Sequence, residues 1–136
     1  MIRILIVDDS AIFREGLRAM LAAHTDWEVC GEAMDGVEGV QKNRLLKPHL
    51  IIMDLSMPQM SGIEAAAEIL KEFPKVPILL LTLYLTPQLT QEARKVGIRA
   101  TLSKTATNHL VGGIDAVLRD EEFQLELTRR DESPPT

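Results

Sequence analysis

The sequence predicts an α/β fold, a doubly wound, five-stranded parallel sheet covered by five helices. Three observations carry this reading. Short apolar runs alternate five times with stretches whose apolar residues recur at helical spacing. Three of the runs, Ile4 to Val7, Leu50 to Met53 and Ile78 to Leu81, are apolar without interruption, as befits parallel strands covered on both faces. Two of these run directly into carboxylates, Asp8-Asp9 and Asp54, and in doubly wound sheets ligands bind beyond the carboxyl ends of the strands.

In chain order, the strands are expected at Ile2 to Val7, Glu28 to Ala33, Leu50 to Asp54, Pro77 to Thr82 and Ile98 to Leu102. Ser10 is the expected N-cap of a first helix whose apolar stripe is Ile12, Leu17, Met20 and Leu21. Val37, Val40 and Leu45 mark a shorter second helix. Ser61 with Glu64 three residues on is a capping-box pattern that starts the third. Thr86-Pro87 places an N-cap before a proline at the first helical position, and Gly97 stops that fourth helix. Leu110, Ile114, Val117 and Leu118 predict a fifth helix over about Thr107 to Arg119, despite Gly112-Gly113 within it.

Composition bounds the function. A chain of 136 residues, 46% hydrophobic and 26% charged, is ordinary for one globular domain that buries roughly two thirds of its unfolded surface. The net charge of -5 argues against nonspecific nucleic-acid binding, which needs dense Lys and Arg. Cys30 is alone and cannot form an internal disulfide, and the start lacks a signal-peptide pattern, so a cytoplasmic location is expected. No apolar stretch approaches the ~20 residues of a membrane span, so no membrane partner is expected. Residues 1–120 are read as one domain. Residues 121–136, polar and ending in Ser133-Pro134-Pro135-Thr136, are read as a fraying tail or the start of a linker to a missing output domain.

If the first and third strands lie side by side, three acids meet at one sheet edge, where their mutual repulsion calls for a cation. Thr82 ends the fourth strand and Lys104 follows the fifth by two residues, bringing a hydroxyl and an ammonium to the same edge. A hard cation such as Mg2+ takes oxygen ligands, and a carboxylate left over can attack a phosphoryl group to give an acyl phosphate, with lysine and threonine stabilising the phosphoryl oxygens.

This set, Asp8-Asp9, Asp54-Leu55-Ser56-Met57-Pro58 with Gly62, Thr82 and Lys104, resembles the receiver domain of bacterial two-component response regulators over about residues 1 to 120. The resemblance implies a flavodoxin-like architecture with Asp54 as phosphoacceptor. It implies that Asp9, Asp54 and the backbone carbonyl of Ser56 hold Mg2+, or Mn2+, with Asp8 acting mainly through a bound water. Thr82 would be the switch hydroxyl and Lys104 the cation that contacts the phosphoryl group. The implied donor is a sensor histidine kinase, and the implied output is a changed surface that alters dimerisation or partner binding in transcription regulation. Such a chain is a signalling module that catalyses only its own phosphorylation and dephosphorylation. The family's switch also repositions an aromatic residue three places before the lysine; here Thr101 stands there, too small to fill the space of a ring.

The tail adds a second resemblance. Leu127-Thr128-Arg129-Arg130-Asp131-Glu132 is similar to the start of the helix-turn-helix domain that follows many receivers, so DNA contact would come only through an output domain absent from this chain. Two enzyme readings fit less well. An aspartate phosphohydrolase needs a second acid two residues after its nucleophile, where this chain has Ser56, and dinucleotide binding needs a glycine-rich turn after the first strand, where it has Asp8-Asp9-Ser10.

Overall fold

The structure is a computed structural model and describes residues 1–119. Five strands, β1 (Ile2–Val7), β2 (Trp27–Ala33), β3 (Leu50–Asp54), β4 (Ile78–Thr82) and β5 (Ala100–Ser103), form one sheet in the order β2-β1-β3-β4-β5. Every neighbouring pair is parallel. Five α-helices alternate with them: α1 (Ala11–Leu21), α2 (Gly36–Leu46), α3 (Gly62–Glu72), α4 (Pro87–Val96) and α5 (Leu110–Leu118), the last preceded by a 3₁₀ turn over Thr107–His109. This is the flavodoxin-like arrangement expected from the sequence.

Side-chain alternation along each strand splits the core into two layers. Ile4 and Ile6 of β1, Leu50 and Ile52 of β3, and Leu79 and Leu81 of β4 pack against Leu17 and Leu21 of α1 and Leu110, Ile114 and Val117 of α5. The alternate residues, Leu5, Val7, Ile51, Met53, Ile78 and Leu80, pack against Val40 of α2, Ala65, Ala66 and Ile69 of α3, and Ala93 of α4. With both faces covered, every residue of β3 and β4 is buried.

The expected caps are present. Ser10 Oγ accepts from the Phe13 N–H, Thr86 Oγ1 from the Leu89 N–H, and Ser61 and Glu64 exchange both bonds of a capping box. Gly97 ends α4 in the left-handed region at φ 110°. That stop moves the fifth strand: the Ile98 N–H bonds back to Ala93 O, so Ile98 belongs to the helix terminus and β5 begins at Ala100 rather than Ile98. β2 starts one residue earlier than expected, with Trp27 beside Ile2, and β4 one residue later, after Pro77.

Two expected helix faces are corrected. On α1, Leu17, Met20 and Leu21 turn inward as expected, but Ile12 is 84% exposed and Phe13 packs inward in its place. Leu45 is 80% exposed and Val37 is exposed too; α2 buries Gly36, Gly39, Val40 and Asn43. Its inner face is short of side chains because it lies close to the sheet. A Cβ on Gly39 would stand 3.0 Å from Val7 Cγ1. The tail over 121–136 and its likeness to a helix-turn-helix start lie outside the described residues.

Candidate functional site

From β1 the chain runs outward to β2 and then returns past β1 to β3, so the crevice between the carboxyl ends of β1 and β3 is the topological switch point. The acids predicted to meet do so there. Asp8, Asp9 and Asp54 each offer a carboxylate oxygen, and these atoms lie within 4.8 Å of one another, a group that could hold a metal ion. Hydrogen bonds that continue the sheet beyond its strand ends position the site: Asp8 N–H donates to Ala33 O at 3.0 Å, Leu55 N–H to Leu81 O at 2.9 Å and Lys104 N–H to Thr82 O at 2.7 Å.

Asp8 and Asp54 are 1% and 4% exposed, whereas Asp9 faces solvent. Asp8 Oδ1 accepts from the Ser10 N–H at 2.8 Å. Lys104 Nζ lies 2.8 Å from Asp8 Oδ2 and 3.0 Å from Asp54 Oδ1, bridging both. Buried Asp8 Oδ2 has the Lys104 charge beside it and, among the described residues, no other donor. An oxygen left in this state suits a cation ligand.

Burial pushes the Asp54 carboxyl up to about 6; the Lys104 ammonium opposes this, while Asp8 and then Asp9 add to it. Burial alone would lower the Lys104 ammonium, yet its contacts with Asp8 and Asp54 outweigh that and push it up. One ammonium facing three carboxylates leaves the pocket short of positive charge.

Thr82 is buried at the end of β4, on the same edge, and its hydroxyl accepts from the Tyr84 N–H at 3.3 Å. Ser56 is exposed, two residues beyond Asp54. Thr101 is not among the clustered groups: it sits within β5, paired with Leu80, 1% exposed. Its Oγ1 has no hydrogen-bond partner among the described residues. A buried hydroxyl without a partner is costly, so Thr101→Val, which keeps the shape, is expected to stabilise the protein by about 1 kcal/mol. Thermal unfolding should show a rise of about 3–5 °C, and an unchanged or lower midpoint would mean the hydroxyl is satisfied in solution.

Sequence reasoning missed three supports. Arg14 donates from Nη1 to Asp8 O at 2.6 Å and from Nε to Glu32 Oε1 at 2.9 Å, tying the end of β1 to β2. Phe13 presents its ring to Lys104, with Nζ 4.4 Å from the ring centroid. Glu32 also receives Arg18 Nε at 3.2 Å. The helical spacing of α1 gave no signal for Phe13 or Arg14, because their partners come from other strands and loops.

Comparison with known proteins places this geometry. Residues 4–115 match the family described as the response regulator receiver domain. The chain is 38% identical over 121 residues to the uncharacterized transcriptional regulatory protein YxjL of Bacillus subtilis, covering 88% of this chain and 56% of that protein. It is 37% identical over 106 residues to the response regulator protein VraR of Staphylococcus aureus, covering 78% and 51%. The chain thus spans about half the length of the curated relatives it matches. Among solved structures, a two-component response regulator of the LuxR family from Aurantimonas sp. SI85-9A1 superposes with a TM-score of 0.85 at 31% identity, covering 88% of this chain and 86% of that one. The response regulator domain of Thermotoga maritima CheB gives 0.79 at 32% identity, covering 90% and 96%. No helix among the described residues is long and apolar enough to cross a membrane. With its sheet order, its acid cluster and these matches in agreement, the chain belongs to the response regulator receiver domains of two-component systems.

Proposed function

We propose that the domain accepts a phosphoryl group on Asp54 from a sensor histidine kinase in a Mg2+-dependent reaction, and thereby switches an output surface used in transcription regulation. The observation that carries this reading is the convergence of three carboxylates and one ammonium at the switch point, with Asp54 buried beside Lys104. Asp9, Asp54 and the Ser56 carbonyl would hold Mg2+, or Mn2+ in its place, and Asp8 would act chiefly through a bound water. Bound there, the metal supplies charge neutralisation to the phosphoryl oxygens and to the crowded acids.

The remaining roles fall to the chain. An Asp54 carboxylate oxygen attacks phosphorus, the P–N bond to the donor's phosphoimidazole breaks, and the imidazole leaves neutral, its other ring nitrogen keeping the proton it already carried. Lys104, already beside Asp54, neutralises a phosphoryl oxygen. Thr82 exchanges its bond to the Tyr84 N–H for one that its hydroxyl donates to the phosphoryl group, which draws the β4–α4 loop along. The domain catalyses nothing beyond its own phosphorylation and dephosphorylation. Homodimerisation on phosphorylation, DNA binding through an output domain beyond this chain, and a cytoplasmic site of action belong to the same proposal.

Intact mass after incubation with acetyl phosphate tests it. The native chain is expected to gain one phosphoryl group only when Mg2+ is present, and Asp54→Asn to gain none. An adduct that persists in Asp54→Asn, or none on the native chain across several donors, overturns the assignment.

A further inference from the structure

We infer that Phe13 is a positioning residue for Lys104: its ring holds the ammonium next to Asp54 when a divalent cation takes over the acids. This rests on the reading of Asp54 as phosphoacceptor and of Lys104 as the phosphoryl contact.

Lys104 Nζ lies 2.8 Å from Asp8 Oδ2, 3.0 Å from Asp54 Oδ1 and over the Phe13 ring face, with the centroid at 4.4 Å. In the proposed function both carboxylates also serve the metal, Asp54 directly and Asp8 chiefly through a bound water. A divalent cation among Asp8, Asp9 and Asp54 therefore repels the ammonium and competes for the same oxygens. The ring has no such conflict. Its negative face attracts the ammonium whether or not the acids are occupied.

Phe13 is also well placed to serve as a fixed wall. Its N–H is bound by the Ser10 cap, so the ring projects from the first turn of α1, and the next residue, Arg14, ties that turn to the Asp8 carbonyl. The Lys104 side chain is only 13% exposed, which limits the competition that water offers to the ring. A four-methylene stem is flexible, and a neighbour that survives metal binding keeps the ammonium from swinging out to solvent.

Phe13→Leu keeps an apolar side chain and removes the ring face, whereas Phe13→Trp strengthens that face. The larger ring has room, since Phe13 borders an open groove with Ile12, Gly16 and Met20, and a Cβ on Gly16 would meet nothing within 4 Å. With acetyl phosphate and saturating Mg2+, Phe13→Leu is expected to lower the maximal phosphorylation rate about 3- to 10-fold. The donor concentration for half-maximal rate and the Mg2+ midpoint should stay unchanged. Phe13→Trp should restore the rate.

The second readout needs no phosphorylation. In Mg2+-loaded protein, the ε-methylene protons of Lys104 should carry an upfield ring-current shift in NMR spectra of the native chain and of Phe13→Trp. Phe13→Leu should lose it. An equal rate and an unmoved Lys104 signal in Phe13→Leu would overturn the inference, as would Phe13→Trp reacting as slowly as Phe13→Leu. If the native chain forms no adduct, the phosphoacceptor reading fails, and the ring-current arm alone decides whether Phe13 holds Lys104.

Discussion

Gly62→Ala is expected to destabilise the domain by roughly 3 kcal/mol or more, at or beyond the upper end of the usual overpacking range, and to lower the unfolding midpoint by about 10 °C. Gly62 is the first residue of α3, and its N–H donates to Leu55 O at 2.8 Å, so the loop after Asp54 folds back upon the strand that carries it. A Cβ at this position would overlap the Asp54 carbonyl oxygen and stand 2.9 Å from Asp54 C and 3.0 Å from Leu55 Cα. All three are backbone atoms, which cannot swing aside as a side-chain tip can. α3 must retreat or Asp54 must move, and either disturbs the acid cluster. Gly112→Ala supplies the contrast: within α5 its Cβ would meet nothing within 4 Å, and a gain of about 0.5–1 kcal/mol is expected from helix propensity alone. Thermal unfolding of both variants checks the pair. A Gly62→Ala midpoint close to that of the native chain would mean that the loop has slack that the structure does not show.

Asp54→Asn is expected to do the opposite, stabilising the metal-free protein at pH 7.5 while abolishing the proposed phosphorylation. The Asp54 carboxyl is pushed up to about 6, first by burial, against the pull of Lys104 and with Asp8 and Asp9 adding to the rise. Below about pH 4 the carboxyl is protonated in both folded and unfolded chains, and it contributes nothing to the pH dependence. Between about pH 4 and 6 the unfolded chain releases its proton while the folded chain retains it, so native stability falls as pH rises. Above pH 6 the full penalty applies, on the order of 2–3 kcal/mol. The neutral amide escapes it. Urea unfolding in EDTA should therefore show the two proteins nearly equal near pH 4 and the variant ahead at pH 7.5. Adding Mg2+ should narrow the gap by stabilising the native chain more than the variant. A variant less stable than the native chain at pH 7.5 would mean that Lys104 more than compensates for the burial of Asp54, and a difference constant across pH that it just offsets it.

These results follow from different depths of legibility. β1 and β3 were readable to the residue because uninterrupted apolar runs leave no other place for a strand covered on both faces. The caps of α1, α3 and α4 were readable because capping is local chemistry over three or four residues. The start of β5 was not, because Gly97 and Ile98 complete hydrogen bonds of α4 before the strand can begin. The inner face of α2 was hidden for another reason. Glycines mark its close contacts, Gly39 against Val7 of the sheet and Gly36 against Met60, and they give no hydrophobic signal, so Val37 and Leu45 drew the pattern to the wrong side.

What the sequence determined by itself was the alternation of strands and helices, the doubly wound parallel class and the residues expected at one edge: Asp8, Asp9, Asp54, Thr82 and Lys104. Each depends on period, on the residue that ends a run, or on a motif whose order along the chain survives unfolding. Only the tertiary structure decided how these residues meet. It placed the Lys104 ammonium between Asp8 and Asp54 and against Phe13, turned the Thr82 hydroxyl to the Tyr84 N–H, buried Thr101 with no hydrogen-bond partner among the described residues and left no room for a side chain at Gly62. Contacts of this kind join residues far apart in the chain, and their energies depend on burial and on distances of a few ångströms, which no local pattern encodes.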